Sequence, residues 1–138
     1  MHSEEASYRN LQKHLNAMPV GFPATRSGVD QRILKSLFTP SEARLAAAMS
    51  YRLESADTIC HRAAQAGLLD PAAGDGPAML DAMAKKGSIF KTESEPASRY
   101  ALLPFAIGMF EFQLRHLTRA FYEDSARYFR EAFGLAYL

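Results

Sequence analysis

Apolar residues recur at helical intervals through most of this chain, with interruptions that helices do not tolerate. Tyr8, Leu11, Leu15 and Met18 follow threes and fours, which predicts a short helix within residues 1–18, with Arg9, Lys13 and His14 on its polar side. Pro19 to Gly28 then holds two prolines, which fix φ and remove donors, and two glycines, which open unusual φ. The segment is an ordered connector if Val20 and Phe22 pack down and a loose arm if they do not. Val29 to Phe38 reads as a helix with Ile33, Leu34, Leu37 and Phe38 inward and Arg32 and Lys35 outward.

Thr39-Pro40-Ser41-Glu42 is a start signal, with Thr39 as cap, Pro40 at the first helical position and Glu42 placed for a capping box. The helix it opens is expected to reach about Leu53, burying Leu45, Met49 and several alanines. Ser55 caps the next helix, Asp57 suits its first turn, and Gly67 closes it after Ala66. A loop from Leu68 leads to Gly76-Pro77, which opens a third helix with Met79, Leu80, Met83 and Ala84 inward. From Ser88 to Leu103, strand formers (Ile89 and Phe90, then Tyr100, Leu102 and Leu103) flank the turn Thr92–Ser98. After Pro104 the stripe Ile107, Phe110, Leu114, Leu117, Phe121, drifting to Tyr122, Ala126, Phe129 and Phe133, predicts one amphipathic helix of roughly 40 Å.

That order predicts a mainly α protein with a small β-hairpin: a winged helix (helix-turn-helix plus wing) with a long C-terminal amphipathic helix. Residues 1–28 would be the leading helix and connector, 29–103 the winged-helix core and 104–138 the final helix, all in one compact domain. The 138 residues, 48% of them hydrophobic, suffice for a single core. No apolar run approaches the roughly 20 residues that span a bilayer, and the Met-His-Ser-Glu-Glu start lacks a secretory apolar segment, so no membrane partner and a cytoplasmic location are expected.

Winged helices commonly bind DNA, and the net charge of +1 decides nothing, so the position of charge must. The outward face of the third helix is Ala78, Asp81, Ala82 and Lys85, whereas base-edge readers are Arg, Lys, Asn or Gln. The wing turn offers Glu93 and Glu95 where a minor-groove contact wants arginine. Lys85, Lys86, Lys91 and Arg99 are candidate phosphate contacts, nearly offset by these acids. Nucleic acid is therefore disfavoured as a partner, and a protein-interaction module is the preferred reading.

No catalytic, cofactor-binding or metal-ligating set is evident. One cysteine, Cys60, cannot hold an iron–sulfur cluster or a structural zinc, and His2, His14, His61 and His116 lack ligand spacing. Arg62 near Cys60 could activate it, but a small buried helix residue is the plainer reading. Asp57 and His61 form an ordinary i, i+4 pair without an orienting third group. Glu111, between Phe110 and Phe112, has Arg115 one turn on as its expected partner, and Gly108 suggests close packing. An enzyme is not expected.

Three passages carry a resemblance: Leu11-Gln12-Lys13-His14-Leu15-Asn16-Ala17-Met18-Pro19-Val20-Gly21-Phe22-Pro23-Ala24-Thr25, Arg32-Ile33-Leu34-Lys35-Ser36-Leu37-Phe38-Thr39-Pro40, and Arg99-Tyr100-Ala101-Leu102-Leu103-Pro104-Phe105, continuing through Gly108 to Glu111-Phe112-Gln113-Leu114. They resemble the N-terminal region of 4Fe–4S ferredoxin-type iron–sulfur proteins, in which a winged-helix-like domain precedes a segment bearing cysteine clusters. The resemblance implies an electron-transfer protein whose 4Fe–4S cluster is held by a longer parent and not by this chain, which lacks the Cys-x-x-Cys arrays. It implies a C-terminal iron–sulfur domain or redox protein as partner; separately, the expected length of the final helix leaves its far half to be covered by a second copy, a homodimer, or by another domain. Val20, Phe22, Phe121, Tyr122, Phe129 and Phe133 are the candidate docking surface. The alternative is a DNA-binding transcriptional regulator that dimerises through the C-terminal helix.

Overall fold

The computed structural model describes residues 3–69, 75–93, 97–114 and 117–134. Helix α1 spans Glu4–Asn16, capped by Ser3, whose hydroxyl accepts from the Ala6 amide. Its inward residues Tyr8, Leu11 and Leu15 pack with α2 (Val29–Leu37) and α3 (Pro40–Ala46) into one core. The expected capping box opens α3: Thr39 Oγ1 accepts from Glu42 N at 3.2 Å, and Thr39 N donates to Glu42 Oε1 at 2.8 Å. This helix stops at Ala46, short of the expected Leu53, because residues 47–53 turn toward a strand. There His14 Nε2 donates to the Met49 carbonyl, and the Leu102 amide donates to the Ser50 carbonyl.

Strand β1 (Glu54–Ser55) leads into α4 (Ala56–Gln65), for which Ser55 is the N-cap as expected. Helix α5 (Gly76–Lys85) follows, then β2 (Phe90–Thr92) and β3 (Arg99–Ala101). The sheet is antiparallel in the order β1-β3-β2, so the hairpin gains a third strand that two residues of sequence cannot announce. The protein is thus mainly helical with a small antiparallel sheet, the coarse class its sequence pattern implies.

The Pro19–Gly28 connector is packed down. Phe22 is buried, stacked 4.6 Å from Tyr128 and 5.5 Å from Phe105. Gln12 Nε2 donates to the Phe22 carbonyl, the Phe22 amide donates to Asn16 Oδ1, and Tyr128 Oη donates to the Pro23 carbonyl. Asp30 is fully buried and accepts from the amide and hydroxyl of Thr25, from Gln31 and from Arg9. Burial by itself would raise the Asp30 carboxyl. The hydrogen bonds from Gln31 and Thr25, with the Arg9 charge, outweigh it and hold the group below its ordinary value.

One expectation fails outright: residues 105–133 are not a single helix. A π turn, Phe105–Met109, passes into the short α6 (Phe110–Phe112), and a separate α7 runs Arg119–Phe133. Gly108 sits at φ +144°, where an added Cβ would lie 2.6 Å from Leu103 Cβ, so this bend requires glycine. Thr118 then restarts the chain as an N-cap, its hydroxyl accepting from Phe121 N at 3.1 Å. The physical reason is burial. A straight rod would carry its second half off the core, whereas the break folds α7 back along α2 and buries Phe121, Tyr128 and Phe129. Arg32–Asp124 (3.2 Å) and Ser27–Glu131 (2.8 Å) hold its edge, and burial pushes the Tyr128 hydroxyl well above its ordinary range.

Candidate functional site

Two surfaces meet the requirements of a site. The first is the outer face of α5 with the hairpin beside it. Asp75 caps α5, and Pro77 occupies its first turn, so the helix starts firmly. Strand pairing places Lys91 directly across from Tyr100, and both side chains reach Asp81. Tyr100 Oη donates to Asp81 Oδ1, and Lys91 Nζ lies 3.1 Å from the same oxygen and 3.2 Å from Glu93 Oε1. The Tyr100 hydrogen bond, then that of Lys91, holds the Asp81 carboxyl below its ordinary range. Burial first, and the bond to Asp81 second, pushes the Tyr100 hydroxyl up to about 12. Asp81 is therefore held as a carboxylate on the outer face of α5.

The four candidate phosphate contacts divide. Lys91 is committed to Asp81 and Glu93, and Lys86 to Glu42, the capping acid of α3. Lys85 and Arg99 are exposed, and neither has an ion-pair partner among the described residues. Residues 94–96 of the expected wing turn between β2 and β3, Glu95 included, lie outside the described residues, as do Arg115, the expected partner of Glu111, and the histidines His2 and His116. Between α5, β2 and α6 runs an open groove of about 760 Å³, lined by Asp81, Lys85, Lys91 and Glu93, with Phe90 and Phe112 among its apolar residues. Phe90 and Phe112 stack 6.1 Å apart, and the exposed Glu111 sits at its edge. Sequence reasoning missed Phe90, Phe112 and the Asp81–Tyr100 pairing. Hairpin register carried the signal for the last, and only the broken final helix brings Phe112 to Phe90.

The second surface follows the C-terminal part of the chain. Of the six candidate docking residues, Phe22, Phe121 and Phe129 are buried in this chain's own aromatic cluster, so they present no surface to a partner. Val20 is half-buried. Tyr122 and Phe133 remain exposed, and Phe112, Leu114 and Leu117 join them.

The other candidate groups are quieter. Cys60 is half-buried against Gly76 and Leu69, and burial, reinforced by Asp57 and Asp75, pushes its thiol up, which opposes reactivity. Asp57 and His61 are exposed, with no ion pair between them. Among the described residues, no three His, Cys, Asp or Glu side chains converge as metal ligands would, and no helix is long and apolar enough to cross a membrane. Compared with protein-family models, curated proteins and solved structures, the chain matches none.

Proposed function

We propose that this chain is a non-catalytic winged-helix module of a 4Fe–4S ferredoxin-type protein, and that it docks the cluster-bearing domain in the groove between α5, β2 and α6. The winged-helix part rests on element order: α3, β1, α4, α5, β2 and β3 follow one another, with β1 against β3. The resemblance of residues 11–25, 32–40 and 99–114 supplies the ferredoxin-type partner, whose own cysteines would hold the cluster. The observation that carries the choice of a protein over DNA is Asp81. Fixed by Tyr100 and Lys91, it puts a permanent negative charge at the middle of the face and removes one cation from use. A face so neutralised releases few counterions, and the free energy of binding a polyanion comes mainly from that release. The stacked Phe90 and Phe112 offer instead the aromatic anchor that protein interfaces favour.

Two titrations test the proposal. A two-cluster bacterial-type ferredoxin, added anaerobically to the ¹⁵N-labelled chain, is expected to shift amides of residues 81–91 and 110–114 and to leave α1 unmoved. A fluorescent DNA duplex is expected to show only weak anisotropy changes that vanish at physiological salt. Nanomolar, sequence-dependent DNA binding lost in Lys85→Glu would replace this reading with the regulator.

A further inference from the structure

Helix α7 carries the features of a self-complementary surface. Tyr122 and Phe133 are 41% and 39% exposed and lie eleven positions apart, so they share one azimuth about 16 Å apart along the axis. Between them Ala126 is buried against the rest of its own chain, so the free stripe consists of its two aromatic ends. Beside Tyr122 is a shallow depression of about 490 Å³, lined by Leu117, Thr118, Arg119, Tyr122 and Glu123. One end of the stripe therefore carries a ring that packs on Tyr128 and Phe129 and leaves its outer edge exposed, and the other end carries a hollow. Along its outer edge lie Glu123 and Arg130, both exposed and neither in an ion pair among the described residues.

We propose that α7 packs against α7 of a second copy, antiparallel about a two-fold axis, with the Phe133 ring of each chain entering the hollow beside Tyr122 of the other. A two-fold axis makes residue i meet j wherever j meets i, so a knob at one end and a hole at the other become two identical contacts. The same operation brings Glu123 of each chain opposite Arg130 of its mate, so charges unpaired in one copy pair in two. Charge complementarity under this one operation selects a second copy over an unrelated helix. The single-helix contact is smaller than the roughly 800 Å² per partner of a standard interface, the size class of weak and transient complexes. The groove between α5, β2 and α6 stays open in the pair, so this contact stands independently of the docking proposed above.

Sedimentation velocity on the whole chain tests the pairing. Between about 5 and about 500 µM, a range that spans weak association, the mass is expected to rise from 15.3 kDa toward twice that value. Phe133→Asp is expected to weaken association at least about tenfold, the loss of a buried aromatic anchor. Glu123→Arg and Arg130→Glu are each expected to weaken it about threefold, as rim ion pairs do, and the double variant to restore it. These two substitutions lie on the solvent face of α7, so their rescue does not depend on how well Phe133→Asp folds. A single 15.3 kDa species at every concentration would overturn the proposal. So would a dimer indifferent to Phe133→Asp, or a double variant no tighter than either single one.

Discussion

The connector at residues 19–28 and the segment at residues 104–118 share proline, glycine and aromatic residues, although the apolar pattern predicts a helix for the second alone. They behave as opposites. In the connector the carbonyls of Phe22 and Pro23 and the amides of Phe22 and Thr25 are all bonded by side chains from α1, α2 and α7. In the second segment Phe112, Leu114 and Leu117 stay in solvent, and among the described residues few side-chain bonds fasten it, Gln113 to the Lys86 carbonyl being one. Irregular backbone is therefore rigid where polar groups from other elements satisfy it, and otherwise it offers surface. The first segment serves the fold throughout, whereas the second divides: Phe105 and Met109 are buried in the core, and Phe112, Leu114 and Leu117 face outward.

The largest effect that should separate the two is Phe22→Ala. Deleting a fully buried aromatic that touches Phe105 and Tyr128 is expected to cost about 3–5 kcal/mol in urea unfolding. A loss below about 1 kcal/mol, ordinary for a surface change, would mean that the connector is not core. Next comes Asp30→Asn, expected to cost about 1–3 kcal/mol near neutral pH by weakening charged hydrogen bonds to Thr25 and Arg9. The sign of its pH dependence follows from the depressed folded value. Asp30 contributes its stability above an unfolded value of about 3.9, and loses it as pH falls through the lower folded value. The advantage of the native chain over Asp30→Asn should shrink as the pH is lowered below about 4, which acid titration of the two unfolding midpoints reads directly. The smallest effect is Phe112→Ser in the outward segment, expected to cost about 0.5–1.5 kcal/mol through loss of its stack on Phe90 while weakening any partner held in the groove. A large destabilisation there would erase the contrast.

Much of the fold was legible because its signals are local. The capping box at Thr39, the cap at Ser55, and the apolar spacing of α1 and α2 each lie within a few residues of what they determine, whereas the cap at Thr118 was overlooked within the apolar stripe. The final helix misled because period alone cannot distinguish one long rod from two pieces folded back. Phe105, Phe121 and Phe129 keep their spacing in either case, and only the crowding of Gly108 by Leu103 decides. The candidate site was legible in sign but not in arrangement. Asp81 stood out as an acid on an outward face, yet its bonds to Tyr100 and Lys91 depend on a hairpin register that sequence leaves open. The docking residues suffered most, since Phe22, Phe121 and Phe129 satisfy one another inside this chain. An aromatic stripe by itself does not reveal whether its complement is internal.

The hydrogen bond from Tyr128 to the Pro23 carbonyl joins residues 105 positions apart. During synthesis at roughly 5–20 residues per second, about 5–20 seconds elapse between the emergence of Phe22 and that of the helix that covers it. Throughout that interval Phe22 lacks the ring on which it stacks in the finished fold, so the connector is fastened last by the end of the chain.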